Sequence, residues 1–178
     1  MNDYDQYLAH VCDSGVGRDG IPYAAWRQAG KHGRKTLSEC GDELDNGRSI
    51  DFDWNDCLQA FLGKGDPPSG MQEWALDDDK TRALGLRNTD NKICAGVRNH
   101  KLRAVAKKSI CKYQNGFVWQ RNFPNNPVAL DALGRIFQTI CPELNPAIVS
   151  WDFAAAFPSI SHEFLFMVFR ANGMPTGM

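Results

Sequence analysis

The chain has little with which to build a metal or disulfide scaffold. Its six cysteines (Cys12, Cys40, Cys57, Cys94, Cys111 and Cys141) form no C-x-x-C pair, and no histidine lies at metal spacing from them. Neither a zinc site nor a disulfide framework is indicated, and reduced intracellular thiols are the expectation. No apolar run approaches the ~20 residues that span a bilayer. The start, Met1-Asn2-Asp3-Tyr4-Asp5, has none of the basic and apolar character of a signal peptide. The sequence therefore reads as a soluble, intracellular chain with no membrane partner. Internal repeats and low-complexity segments are missing too. So is net charge, since 20 Lys and Arg against 21 Asp and Glu leave −1.

That balance conceals an asymmetry. From Lys80 to Arg121 there are eleven Lys and Arg and one acid, Asp90. The block carries 11 − 1 = +10, and the remaining residues carry 9 − 20 = −11. A basic block inside a neutral chain is what a phosphate-tracking surface looks like. A solvated helix face would have the same composition. The 178 residues suffice for one well-cored domain or for part of a larger one.

Gly and Asp crowd the stretch Asp13 to Gly20, which reads as a turn. Pro22 suits the first turn of a helix through Tyr23, Trp26 and Ala29, stopped by Gly30. A second helix is expected over Thr36 to Leu44. Leu58–Leu62 and Arg82–Leu86 read as strands of a hairpin, with the loop from Asp66 to Lys80, including Asp77-Asp78-Asp79, between them. Asn88 or Thr89 can cap a long helix to about Lys108, with Ile93, Val97 and Ala104 at near-helical spacing. Gln114 to Phe117 is a turn. Asn126-Pro127 opens a helix whose buried side would be Val128, Leu130, Leu133, Ile136, Phe137 and Ile140. A strand from Ala147 to Asp152 and a helix from Ser161 to Ala171 follow. The element order suggests an α+β fold.

Asp152, at the end of the apolar run Ala147 to Val149, is the residue with the most chemistry. A carboxylate ending a buried strand needs compensation, and Mg²⁺, an oxygen-seeking ion commonly shared with phosphates, is the usual partner. The pattern Asp152-Phe153-Ala154-Ala155-Ala156-Phe157-Pro158-Ser159-Ile160 resembles the first metal-binding motif in the palm of non-LTR (LINE-type) retrotransposon reverse transcriptases. Four further stretches occur in that family's order. Gly17 to Tyr23 is similar to "GPDGIPYE", and Leu62-Gly63-Lys64-Gly65-Asp66 to the "IPKKGD" end of the fingers hairpin. Arg82 to Ile93 resembles "RPISLLNTDYKI". Gln114-Asn115-Gly116-Phe117, with Arg121 after it, resembles "QSGFIKGR". The likeness extends from about Asp13 to Pro175.

The resemblance implies the fingers and first part of the palm of a right-hand polymerase. Residues 1–178 would be a partial reverse transcriptase domain, with the N-terminal segment and fingers over about 13–146 and the palm beginning at about 147–178. It implies an RNA-directed DNA polymerase, transferring deoxynucleotides to a primer on an RNA template with Mg²⁺, and makes a nuclear location plausible. Lys64 and Arg82 would grip the nucleoside triphosphate, as a point charge and a fork suit phosphate oxygens. Asp152 would be the catalytic metal ligand, with the backbone carbonyl of Phe153 beside it. Phe157 would exclude a 2′-hydroxyl. Arg98, Lys101, Lys108, Gln114 and Arg121 would track template and primer. Without the family, Phe157 reads as a core aromatic, Lys64 as a solvated tip, and His162 and Asp90 as groups at helix starts.

The sequence departs from the family pattern at Gly63, at Ala83 and at Arg18, where prolines are usual, and no Y/F-x-D-D follows Asp152. One Asp cannot position two ions about 4 Å apart. The expectation is a fragment inactive by itself, lacking the later palm and the thumb. A non-catalytic nucleic-acid-binding module and a non-functional retroelement remnant are the alternatives.

Overall fold

The computed structural model describes residues 2–50, 53–65, 80–145, 147–153 and 159–174. Among them lie six helices and two strands: α1 (Asp3–His10), α2 (Tyr23–Gln28), α3 (Gly30–Asp45), β1 (Cys57–Gly63), β2 (Thr81–Arg87), α4 (Thr89–Ser109), α5 (Asn125–Ile140) and α6 (His162–Ala171). The chain divides into two compact units within α4, one up to Arg98 and the other Asn99–Gly173.

The first unit has a true core. Asn2 caps α1 through the N–H of Tyr4, and Asp3 and Asp5 sit in the first turn, where the helix dipole favours negative charge. Tyr4 and Leu8, one turn apart, are buried against Tyr23, Leu37, Ile93, Cys94 and Val97. Each such side chain withdrawn from water contributes on the order of 1.5–3 kcal/mol. Two glycines allow the close packing. A Cβ on Gly41 would lie 2.2 Å from the Tyr4 hydroxyl, and one on Gly96 would lie 2.1 Å from that of Tyr7. The polar frame is equally specific. Trp26 Nε1 donates to Thr89 Oγ1 at 2.9 Å, and that hydroxyl donates to the carbonyl of Ile21 at 2.7 Å.

β1 and β2 pair antiparallel with Cys57 opposite Arg87, Leu62 opposite Arg82 and Gly63 opposite Thr81. The hairpin is the one expected, each strand a residue longer at both ends. Its base is tied down where Arg87 donates to the carbonyl and the side chain of Asn55, both at 3.1 Å, and where Asn91 donates to the carbonyl of Trp54 at 3.0 Å. The loop 66–79, with Asp77 to Asp79, lies outside the described residues.

Several expectations are corrected. α1 was not foreseen. The helix stopped at Gly30 forms as α2, ending at Gln28 with Ala29 as its C-cap and Gly30 at φ 56°, but the next helix, α3, starts at Gly30 rather than at Thr36. The strand expected over Ala147–Asp152 is absent, and its described residues are irregular and exposed. The only sheet among the described residues is β1–β2, so no strand pairs with this segment, and an unpaired extended segment has no ladder to hold it. α5 forms as expected, but its apolar side is not buried: Val128, Leu130, Leu133, Ile136, Phe137 and Ile140 are all exposed. α6 is capped by Ser161, whose hydroxyl accepts from the N–H of Phe164 at 3.3 Å, and it too buries nothing.

Candidate nucleic-acid and nucleotide interface

In the first unit the hairpin register sets the geometry. Residues directly opposite in an antiparallel pair share a face, as do alternate residues on one strand. Arg82 therefore shares a face with Leu62 and with Lys64, which follows Leu62 by two positions. The N–H of Lys64 donates to the carbonyl of Lys80 at 2.8 Å, which continues the ladder and brings a third cation to the same end. Lys64, Lys80 and Arg82 are exposed. Beyond them the same face is apolar, with Leu58, Ala60, Leu84 and Leu86. Lys80 entered the sequence reading only as part of the basic block. Its place opposite Lys64 follows from extending the register one step.

The hairpin leads into α4 through a tightly knit junction. A Cβ on Gly17 would sit 2.3 Å from the backbone nitrogen of Asn88, so only glycine fits there. The N–H of Asp19 donates to Asn88 Oδ1 at 3.3 Å, and Thr89 makes the Trp26 and Ile21 bonds described above. The segments around Gly17–Tyr23 and Arg82–Ile93 are thus in direct contact.

Along α4 the expected nucleic-acid contacts separate. Arg98 is largely buried: Nε donates to Asp45 at 2.8 Å, and the fork also reaches the carbonyls of Cys94 and Gly41. Burial by itself would weaken its hold on the proton, but the hydrogen bond and charge of Asp45 outweigh that and keep it charged. Its guanidinium is thus engaged inside the first unit. Lys101 and Lys108 are exposed in the second unit. Arg121 donates from one terminal nitrogen to the carbonyls of Cys111 and Gln114, at 2.5 and 2.8 Å. From the other it reaches those of Lys107 and Ile110, at 2.8 and 3.0 Å. It closes the C-terminal end of α4, where carbonyls lack partners within the helix. Gln114 donates to the carbonyl of Gly116 at 3.0 Å within the turn.

Asp152 and Phe153 are exposed in the second unit, and Asp152 Oδ1 accepts from the N–H of Phe153 at 2.9 Å. Phe157 lies outside the described residues. Among the described residues no three His, Cys, Asp or Glu come together in a way that could hold a metal ion. The Asp152 segment with its single carboxylate therefore does not by itself fit Mg²⁺. No described helix is long and apolar enough to cross a membrane. Comparison with protein-family models, with curated proteins and with solved structures finds no match.

Proposed function

We propose that the chain is the fingers and the first palm segment of a LINE-type RNA-directed DNA polymerase, and that it does not extend primers by itself. The observation that carries this reading is the joined arrangement of the first unit. The Gly17–Tyr23 segment packs on Asn88 and Thr89, directly behind a hairpin that gathers Lys64, Lys80 and Arg82 on one face. Phosphoryl transfer is mainly positioning and charge neutralisation, and a two-stranded arm with cations at its end supplies both to a triphosphate. Asp152 would contribute one carboxylate to a metal site that needs several, so no catalytic step is assigned to the chain alone.

The test is nucleotide binding by the hairpin. A fluorescent deoxynucleoside triphosphate should bind weakly, and the double variant Lys64→Ala/Arg82→Ala should lose that binding. Equal binding by the double variant would contradict the reading. In a primer-extension assay on RNA with Mg²⁺, the chain should stay at background. Extension that disappears in Asp152→Ala would show that one carboxylate suffices and that the chain is a complete enzyme.

A second reading, a non-catalytic nucleic-acid-binding module, is favoured by the charge of the second unit. From Asn99 to Leu130 the sequence has Lys101, Arg103, Lys107, Lys108, Lys112 and Arg121 and no acid at all. Salt-dependent oligonucleotide binding without nucleotide binding would select it.

A further inference from the structure

The turn that follows α4 has a form its charge does not require. Residues 111–123 bring four aromatic rings to the surface: Tyr113, Phe117, Trp119 and Phe123 are all exposed. Phe117 is the extreme case, with its ring wholly in solvent at 106% relative exposure. It also has a backbone φ of 59°, in the left-handed region that phenylalanine rarely adopts, and Gln120 follows at 61°. Strained backbone persists only where the surroundings hold it. Here the hold is visible. Arg121 binds four carbonyls of the helix end and turn, Asn115 donates to the side chain of Asn126 at the start of α5, and Val118 is buried between the exposed Phe117 and Trp119. The turn is anchored through its polar groups and Val118, while its rings face solvent.

Cations accompany the rings. The Lys107 ammonium lies 5.9 Å from the Trp119 ring centre and donates to Gln120 at 2.7 Å, and the Lys112 ammonium lies 5.0 Å from that of Tyr113. Apolar rings in water are unfavourable unless something covers them. An acid-free, lysine-flanked set of rings is complementary to unstacked bases on a phosphate chain.

We propose that this turn is a stacking platform for single-stranded nucleic acid. Phe117, Tyr113 and Trp119 take the faces of successive bases, and Lys107, Lys108 and Lys112 track the phosphates. This deepens the nucleic-acid side of the proposed function and rests on it. It adds that the strand is bound unpaired, through its bases, and with little sequence preference. A duplex offers no free base faces and binds only through its phosphates.

The test is fluorescence anisotropy of the full chain with a labelled oligo-dT strand, and with a duplex of equal length, across a salt series. The single strand should bind more tightly than the duplex, with a log–log salt slope of roughly −2 for three lysine contacts. Phe117→Gly removes the ring without removing packing, and glycine accepts the left-handed backbone. It should weaken binding on the order of tenfold and leave the slope unchanged. Lys107→Ala/Lys112→Ala should flatten the slope. Lys64→Ala/Arg82→Ala should leave oligonucleotide affinity intact even if nucleotide binding is lost, which separates this proposal from the polymerase reading. Wild-type affinity in Phe117→Gly, equal affinity for the duplex, or loss of binding in the hairpin variant would each overturn the platform. Failure of any oligonucleotide to bind, with the rings instead covered by a second copy of the chain, would overturn it as well.

Discussion

The thiols differ by environment more than by sequence. Cys94 is buried beneath Tyr4, and burial pushes its thiol up to about 11, so almost none of it is thiolate at neutral pH. Cys12, Cys57 and Cys111 are exposed. Timed alkylation at pH 7.5 followed by mass spectrometry should label these three within minutes and Cys94 only on unfolding. Early labelling of Cys94 would mean that the first core is open. Asp90 titrates against its own burial, which raises its carboxyl above the ordinary 3.8, while the N–H of Asn91, donating at 2.6 Å, pulls the other way. A carboxyl raised on folding favours the folded state below its unfolded value, and that contribution fades as pH climbs through the folded value. Asp90→Asn removes the dependence. The melting temperature of the variant relative to wild type should therefore rise from pH 3.8 upward and then level off. A difference that does not change with pH would show that the Asp90 environment is open to water.

At the scale of elements, what was legible in the sequence depended on how local its cause was. The hairpin was readable because two short strands flanked by turn residues carry their own pairing partner. α4 was readable from Thr89 and its apolar spacing. α1 was readable in principle, since Asn2 caps it and Tyr4, Tyr7, Leu8 and Val11 recur at helical spacing. Its polar first turn, with Asp3 and Asp5, obscures that period. The strand over Ala147–Asp152 could not be settled locally, because a strand exists only with a neighbour and the described residues provide none. The candidate site shows the same limit. The resemblance named Arg98 and Arg121, within the basic block, as template and primer contacts, but only the tertiary arrangement reveals Asp45 beside one and four carbonyls around the other. The rings of Tyr113, Phe117 and Trp119 beside lysines are visible in the sequence, but their exposure is set by the fold. Two changes test these elements. Leu37→Ala, at a fully buried position, should cost about 2–5 kcal/mol in urea unfolding of the first unit. Arg121→Lys, which cannot reproduce the fork, should speed hydrogen exchange in the last turn of α4 while leaving α1 and α3 unchanged. Unchanged exchange would mean that the helix end holds without its arginine.

For the whole molecule, the two units contrast in what they cover. The first buries Tyr4, Leu8, Leu37 and Ile93, whereas α5 and α6 leave Leu133, Ile136, Phe164 and Met167 in solvent. At about 25 cal/mol per Å² of apolar area, a few hundred Å² left wet amounts to several kcal/mol, comparable to the stability of a domain. Sedimentation velocity should show concentration-dependent association that Leu133→Glu/Ile136→Glu reverses. A monodisperse monomer would mean that this surface is tolerated without a partner. The central proposal is that the hairpin is a nucleotide-gripping finger. Its most direct test is photo-crosslinking of an azido-deoxyadenosine triphosphate to the chain in the presence of an RNA–DNA template–primer, with the labelled peptides mapped. The account predicts label on the β1 and β2 peptides containing Lys64 and Arg82, lost in Lys64→Glu/Arg82→Glu. Label scattered over the chain, or unchanged in that variant, would contradict it.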